Sequence, residues 1–248
     1  DITAKDALPF EDIFNASPMI SFSDTGTVNK SAVDALYNIQ KVYDFYKETL
    51  HHISSDGKGK SEIRIFNGFK YYKKDNEKKD YTDNAAAWGR PDKNTTEILI
   101  GLRSKGRNTY SDNIDVMGHE FTHSIVHYVL DNDDFSKEEG DALNEGLSDI
   151  LGLMIEAYYN DGQCDWNISG VRNYLTNDNI LESYKQYDRT LDCHDGGTII
   201  CATARKMWEG NKKDDTIAPL DDPVLMAELW YRTICMINKD LDYAQCRD

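Results

Sequence analysis

Hydrophobic positions along the chain change their spacing near its middle. In "SAVDALYNIQKVYDFYKETLHHI", Leu36, Ile39, Tyr43, Tyr46 and Leu50 recur at intervals of three and four, and Ser31 with Asp34 resembles a capping box. The spacing predicts one long amphipathic helix there. "EIRIF" (62 to 66) and "TEILIGL" (96 to 102) alternate or run apolar over strand lengths, which predicts two sheet strands. Between them, "KKDNEKKDYTDN" reads as a solvated charged loop. Beyond Ser111 the apolar period becomes helical, predicting helices over 113–130, 141–159, 198–209 and 223–237. The expected architecture is α+β in two lobes, a mixed β-rich lobe over 1–134 and a mainly helical lobe over 135–248, with a cleft between them.

Composition narrows the partners. A chain of 248 residues can bury a substantial core, and its formal net charge of −16 repels nucleic acid and anionic membrane surfaces while favouring cations. No apolar run approaches the roughly 18 to 20 residues of a membrane span, and "DITAKDALPF" has neither the basic start nor the apolar stretch of a signal peptide. The five cysteines, Cys164, Cys193, Cys201, Cys235 and Cys246, form no C-x-x-C pair, which argues against a cysteine zinc site. Two disulfides would suit a secreted protein and five thiols a reducing cytosol; composition leaves both open.

Within the first predicted helix after Ser111, "GHEFTH" places two histidines four apart. On a helix such residues lie on one face about 6 Å apart, so His119 and His123 can aim ring nitrogens at one ion. Glu120 points about 100° further round the axis, at the edge of that site. Two core histidines would show the same spacing by chance, so a third donor matters: a catalytic zinc takes three protein ligands and keeps its fourth position for water. His127 is about 12 Å from His119 along the axis, too far to share the ion with His123. The metzincin pattern is excluded, because Val126 and Val129 stand where it needs Gly and His. Downstream, "ALNEGLSDILGLMIEAYY" has an apolar face (Leu143, Leu147, Leu151, Met154, Tyr158) that leaves Glu145 and Asp149 together, again four apart. One carboxylate can complete the zinc shell and the other can accept the free N–H of a ligand histidine.

"IDVMGHEFTHSIV" followed by "ALNEGLSDILG" resembles the thermolysin family of zinc metallopeptidases. "AVDALYNIQKVYDFYK" resembles that family's early helix, "DNAAAW" its substrate-binding edge segment, "DWNIS" its calcium-binding region and "HDGGTIICATARKMW" the segment carrying its second catalytic histidine. The likeness runs from about Ser31 to Gln245. It implies that His119, His123 and Glu145 bind one catalytic zinc, that Asp149 orients His119, that Glu120 is the general base and that His194 stabilises the oxyanion. It also implies that Arg172 binds a substrate carbonyl, that Asn84 and Ala85 hold an extended peptide backbone, and that Val116 and Val171 wall an apolar pocket. Asp115, Glu156 and Asp165 match carboxylates of a calcium site. Because Asn167 and Gly170 stand where a double site has further acids, one calcium is expected.

The function so implied is a secreted endopeptidase, made with a propeptide, that cuts peptides or unfolded proteins on the amino side of bulky apolar residues. Three departures stand out. The family's oxyanion tyrosine falls at Ser136, with Phe135 and Tyr128 as neighbours, and two residues are inserted before Glu145. The stretch between Arg172 and His194 is shortened, which leaves Asp188 and Asp192 as alternative supports for His194. "DLDYAQCRD" resembles a segment that in relatives precedes further helices, and the loss of those helices would expose apolar surface and favour association. The alternative reading is a zinc- and calcium-stabilised binding or scaffold domain with little catalysis; Glu120, which no structural zinc site needs, favours the enzyme. The sequence does not specify the oligomeric state.

Overall fold

The structure, a computed structural model, describes residues 30–69, 71–74, 77–80, 83–103, 110–131, 135–169, 171–176, 180–210 and 218–247. Gly170, one of the two positions from which a single calcium is expected, lies outside them. Helix α1 (Lys30–Thr49) is followed by strand β1 (Glu62–Phe69), a hairpin of β2 (Tyr71–Lys74) and β3 (Glu77–Asp80), and strands β4 (Ala85–Arg90) and β5 (Thr95–Gly101). A 3-10 turn at Tyr110–Asp112 leads into α2 (Ile114–Val129), and α3 (Glu138–Tyr159) follows. The remainder is a two-residue ladder of β6 (Asn167–Ile168) and β7 (Arg172–Asn173), then α4 (Cys193–Glu209), α5 (Pro223–Ile234) and α6 (Tyr243–Arg247).

The sheet order is β1-β5-β4, with β1 parallel and β4 antiparallel to β5. Ile98 of β5 stands between Ile65 and Ala87, and every residue of β5 is buried, Thr95, Thr96 and Glu97 as well as the apolar Ile98–Ile100. β4 lies across α2 so closely that a carbon added at Gly89 would sit 2.4 Å from the Ser124 carbonyl. The Gly89 N–H donates to His127 Nδ1 at 3.0 Å, which accounts for that histidine away from the neighbouring pair. Buried apolar residues from both halves of the chain form one continuous core.

α3 is the axis of the helical half and packs against α2, α4 and α5. Its contacts with α2 and α4 run through glycines. A carbon at Gly152 would meet the Asp115 carbonyl at 2.4 Å, and one at Gly197 would meet the Ala142 carbonyl at 2.6 Å. Glycine therefore permits backbone to approach backbone here, bringing α2 and α4 to the same stretch of α3.

Four expectations are corrected. The buried stripe of α1 runs through Ala35, Ile39, Val42, Phe45 and Tyr46, whereas Leu36 is 47% exposed, because the face that meets α2 is rotated from the one read off the spacing. The charged stretch after β1 is not a plain loop: Tyr71–Lys74 pairs with Glu77–Asp80, so cross-strand bonds form despite the lysines. The fourth helix begins at Cys193 rather than 198, since the Asp192 carboxylate caps it by accepting the His194 N–H at 2.9 Å. Tyr158, assigned to the apolar face of α3, is 39% exposed and rests its ring edge on Phe45. Among the described residues no helix is long and apolar enough to cross a membrane.

Candidate metal centre and cleft

Residues Asp115 to Val126 of α2 are all buried, including Asp115, His119, Glu120, Thr122, His123 and Ser124. Buried polar groups need partners. Thr122 finds the Tyr46 hydroxyl at 2.7 Å, whereas the two histidines turn toward α3. His119 Nε2 lies 2.9 Å from His123 Nε2 and 3.4 Å from Glu145 Oε2, and His123 Nε2 lies 3.5 Å from Glu145 Oε1. A tetrahedral ion with bonds of about 2.0–2.2 Å holds neighbouring donor atoms about 3.3–3.6 Å apart, which both histidine–carboxylate distances match, while the two ring nitrogens stand closer together. Glu145 Oε2 is buried without a hydrogen-bond partner, an acceptor waiting for a cation.

The far sides of both rings are held. His119 Nδ1 meets Asp149 Oδ1 at 2.7 Å, and His123 Nδ1 lies 3.1 Å from both Asn144 Oδ1 and Ser148 Oγ. Partners on Nδ1 direct the Nε2 lone pairs to the shared point. Asp149 is anchored in turn: the Arg172 guanidinium donates from Nε at 2.6 Å and Nη2 at 2.5 Å, and the buried Tyr174 hydroxyl donates at 2.5 Å. Tyr174, Asn144 and Ser148 had no role assigned from sequence. Asn144 and Ser148 each directly precede one of the two acids in the N-E-x-x-S-D motif of α3. Tyr174 carried no signal, because a two-residue strand leaves no periodicity.

Charge in this pocket is lopsided. Burial disfavours a charged His119, but Asp149 and Glu145 overcome it and lift the imidazole to about 10. Burial lowers His123 to about 4, while the facing histidines hold Glu145 down to about 2 against its own desolvation. The two carboxylates thus demand positive charge where the Nε2 atoms meet, and a divalent cation supplies it at the same place. Beside them, burial pushes Glu120 up to about 7, and its Oε2 has no hydrogen-bond partner.

This centre opens on a cleft lined by His119, Glu120 and His194. Asn84 and Ala85 from the end of β4, Val116, Val171 and Arg172 line the same cleft, joined by Asp83, Tyr110 and Ile168, which sequence reasoning did not single out. His194 stands in the first turn of α4, with Nδ1 2.5 Å from Asp192 and Nε2 3.4 Å from Glu145 Oε2. Asp188 instead accepts from Thr190, so Asp192 is the partner of His194. Neither residue considered for the missing phenol reaches the cleft. Ser136 binds the Lys239 carbonyl and Asp240, and the Tyr128 hydroxyl lies among Ser61, Arg90 and Thr95.

The acids proposed for calcium are arranged differently. Asp115 is buried and accepts from the Ser169 hydroxyl at 2.7 and 2.8 Å. Burial, with Asp115 and Asp165 nearby, pushes Glu156 up to about 7. Among the described residues, the sets whose donor atoms all lie within 4.8 Å of one another are His119, His123 and Glu145, and Glu145, Cys193 and His194. All five cysteines are free thiols.

A family model for the thermolysin metallopeptidase catalytic domain matches residues 12–127, a span that contains His119, Glu120 and His123. The thermostable neutral protease NprT of Geobacillus stearothermophilus is 31% identical over 149 residues, 58% of this chain and 23% of that protein. The thermolysin of Alicyclobacillus acidocaldarius is 32% identical over 143 residues, 56% of this chain and 22% of that protein. Over these spans the chain is similar to the thermolysin-like metallopeptidases. Its thermolysin-like fold is matched by the solved precursor of protealysin, a metalloproteinase from Serratia proteamaculans, at a TM-score of 0.61 and 17% identity, over 98% of this chain and 80% of that one. The family model's match ends at His127, and geometry brings Glu145 and His194 to the motif. The chain spans less than a quarter of the length of the two curated relatives named here. The family uses a catalytic zinc and calcium, and the donor set found here suits the first.

Proposed function

We propose that this chain is a secreted zinc endopeptidase that hydrolyses peptides or unfolded proteins on the amino side of bulky apolar residues. The observation that carries the reading is the convergence of His119, His123 and Glu145 within 3.5 Å, with the unpartnered Glu120 carboxylate beside them in an open cleft. A zinc ion held by these three residues would supply a Lewis acid that brings the pKa of a bound water to about 7 and polarises a carbonyl.

The chain's own groups do the rest. Glu120, raised by burial to about 7, takes a proton from the attacking water and gives it to the leaving amine. His194, its Nδ1 held by Asp192, donates from Nε2 in its protonated form to the developing oxyanion. Arg172 spends Nε and Nη2 on Asp149, which leaves Nη1 for a substrate carbonyl. Asn84 and Ala85 stand at the end of β4, where no further strand pairs among the described residues, and an extended peptide can add its backbone there. Val116 and Val171, with Ile168, offer apolar wall to the residue after the scissile bond. Asp115, Glu156 and Asp165 are the ligands proposed for one calcium, and synthesis with a propeptide accords with the likeness to a precursor fold.

The test is digestion of an unfolded protein by the wild type, by Glu120→Gln and by a chelated sample, with cut sites mapped by mass spectrometry. Cleavage before Leu, Ile or Phe, lost in both controls while Glu120→Gln retains one zinc, is the expected result. One bound zinc without cleavage would establish the scaffold reading instead.

A further inference from the structure

β4 pairs antiparallel with β5, Ala85 with Ile100 through to Arg90 with Thr95, and among the described residues no strand lies on its other side. In such a ladder alternate residues turn both N–H and C=O away from the partner strand. The Asn84 carbonyl accepts the Gly101 N–H at 2.8 Å, so the residues turned outward are Ala85, Ala87 and Gly89. Side chains occupy two of these three amides. The Ala85 N–H donates to Asn84 Oδ1 at 3.0 Å, and the Gly89 N–H donates to His127 Nδ1 at 3.0 Å. Asn84 is exposed at the cleft, where a peptide can displace its side chain. Gly89 is buried, and a carbon added to it would meet the Ser124 carbonyl at 2.4 Å and the Tyr128 ring at 2.9 Å, so nothing can enter beside it. Val116, Glu120 and His127 follow one another along α2, His127 two turns, about 10 Å, beyond Glu120. With Val116 walling the pocket for the residue after the scissile bond, the amino-side residues of a bound peptide run from Glu120 toward His127, past Ala85 and Ala87.

We propose that His127 is a positioning residue: it ties the peptide-pairing edge of β4 to the helix that carries Glu120 and ends that edge at Gly89, so that a substrate gains backbone pairing on its amino side only as far as Ala87. The direction in which substrate lies rests on the peptidase reading; the tie between His127 and Gly89 does not. Nδ1 is the acceptor, so the neutral ring carries its proton on Nε2. One helix thereby sets both the base and the edge against which the peptide is laid. Without the acceptor the Gly89 amide is left buried and unpaired, and β4 can relax only by shifting against α2. Peptides that add their backbone to β4 lose binding, and peptides too short to reach Ala87 lose less.

The test uses fluorogenic peptides that share one scissile bond before Leu and carry one, three or five residues on its amino side. Zinc-loaded wild type, His127→Leu and His127→Asn are compared, with folding checked by circular dichroism and bound zinc measured. Binding of the same peptides to Glu120→Gln versions of each is followed by fluorescence anisotropy, which does not depend on turnover. In the wild type, affinity and kcat/KM should rise from one residue to three and level off at five. His127→Leu should raise KM for the three-residue peptide by about 2–10-fold, the worth of one net hydrogen bond, and lower kcat by less. The one-residue peptide should lose less than the three-residue one. His127→Asn, whose amide oxygen reaches about where Nδ1 stands, should recover the wild-type KM. Equal losses on the one- and three-residue peptides in His127→Leu, or no recovery by a folded His127→Asn, would make the role merely structural and overturn the proposal. A wild type that gains again at five residues overturns it too. Binding in the expected pattern without cleavage of any peptide supports the tie and overturns the peptidase reading instead.

Discussion

Replacing Gly152 by Ala tests whether the close crossing of α2 and α3 builds the metal centre. The new carbon would lie 2.4 Å from the Asp115 carbonyl and 3.2 Å from the His119 amide, against about 3.4 Å for an ordinary contact, so the helices must part by about 1 Å. Overpacking of this kind costs about 1–3 kcal/mol, and the upper half applies because backbone atoms cannot swing aside. Alanine returns about 1 kcal/mol in helix propensity. A net loss of about 1–2 kcal/mol remains, which at about 2–4 °C per kcal/mol for a domain of this size lowers Tm by roughly 2–8 °C. The same displacement pulls Asp149 from its 2.7 Å contact with His119 and widens the 3.4 Å gap to Glu145. Zinc affinity should therefore fall by about 10–100-fold, and a 1 Å misplacement can cost about a hundredfold in turnover. Differential scanning calorimetry and competitive zinc titration read the two effects. An alanine that raises Tm by its helix propensity and leaves zinc affinity intact would refute the crossing as the origin of the site.

Tyr174→Phe deletes one buried donor to Asp149 and leaves Arg172 in place, so stability should fall by about 1.5–3 kcal/mol and zinc affinity by about tenfold or more, read by urea unfolding and isothermal titration. Tyr128→Phe should cost about 1 kcal/mol through its bonds at Ser61 and Thr95 yet leave kcat/KM unchanged, because this hydroxyl lies outside the cleft; a large kinetic loss would make it the missing phenol. His52 is held below the usual histidine range by burial, with Tyr231 and Ser55 on its ring nitrogens. Its neutral form is the folded one, so its contribution is complete above the unfolded value near 6.5 and declines as pH falls toward its depressed folded value. His52→Gln should flatten the pH dependence of stability in that window, and an unaltered slope in calorimetric scans across it would contradict this.

Much of this protein was legible in its sequence because local periodicity carries it. The four-residue spacings of His119 with His123 and of Glu145 with Asp149 are properties of a helix turn, so each pair shares a face wherever its helix lies. The apolar Ile98–Ile100 stretch of β5 and the long apolar period of α3 have the same local origin. Tertiary structure decided what no local pattern encodes. It turned the buried face of α1 away from Leu36, and it capped α4 early enough to place His194 in a helix. It chose Asp192 over Asp188 as that ring's partner, and it set Tyr174 on Asp149 and Cys193 beside Glu145. Those outcomes depend on how near two backbones come, and glycines at 152 and 197 set that distance through the side chains they lack.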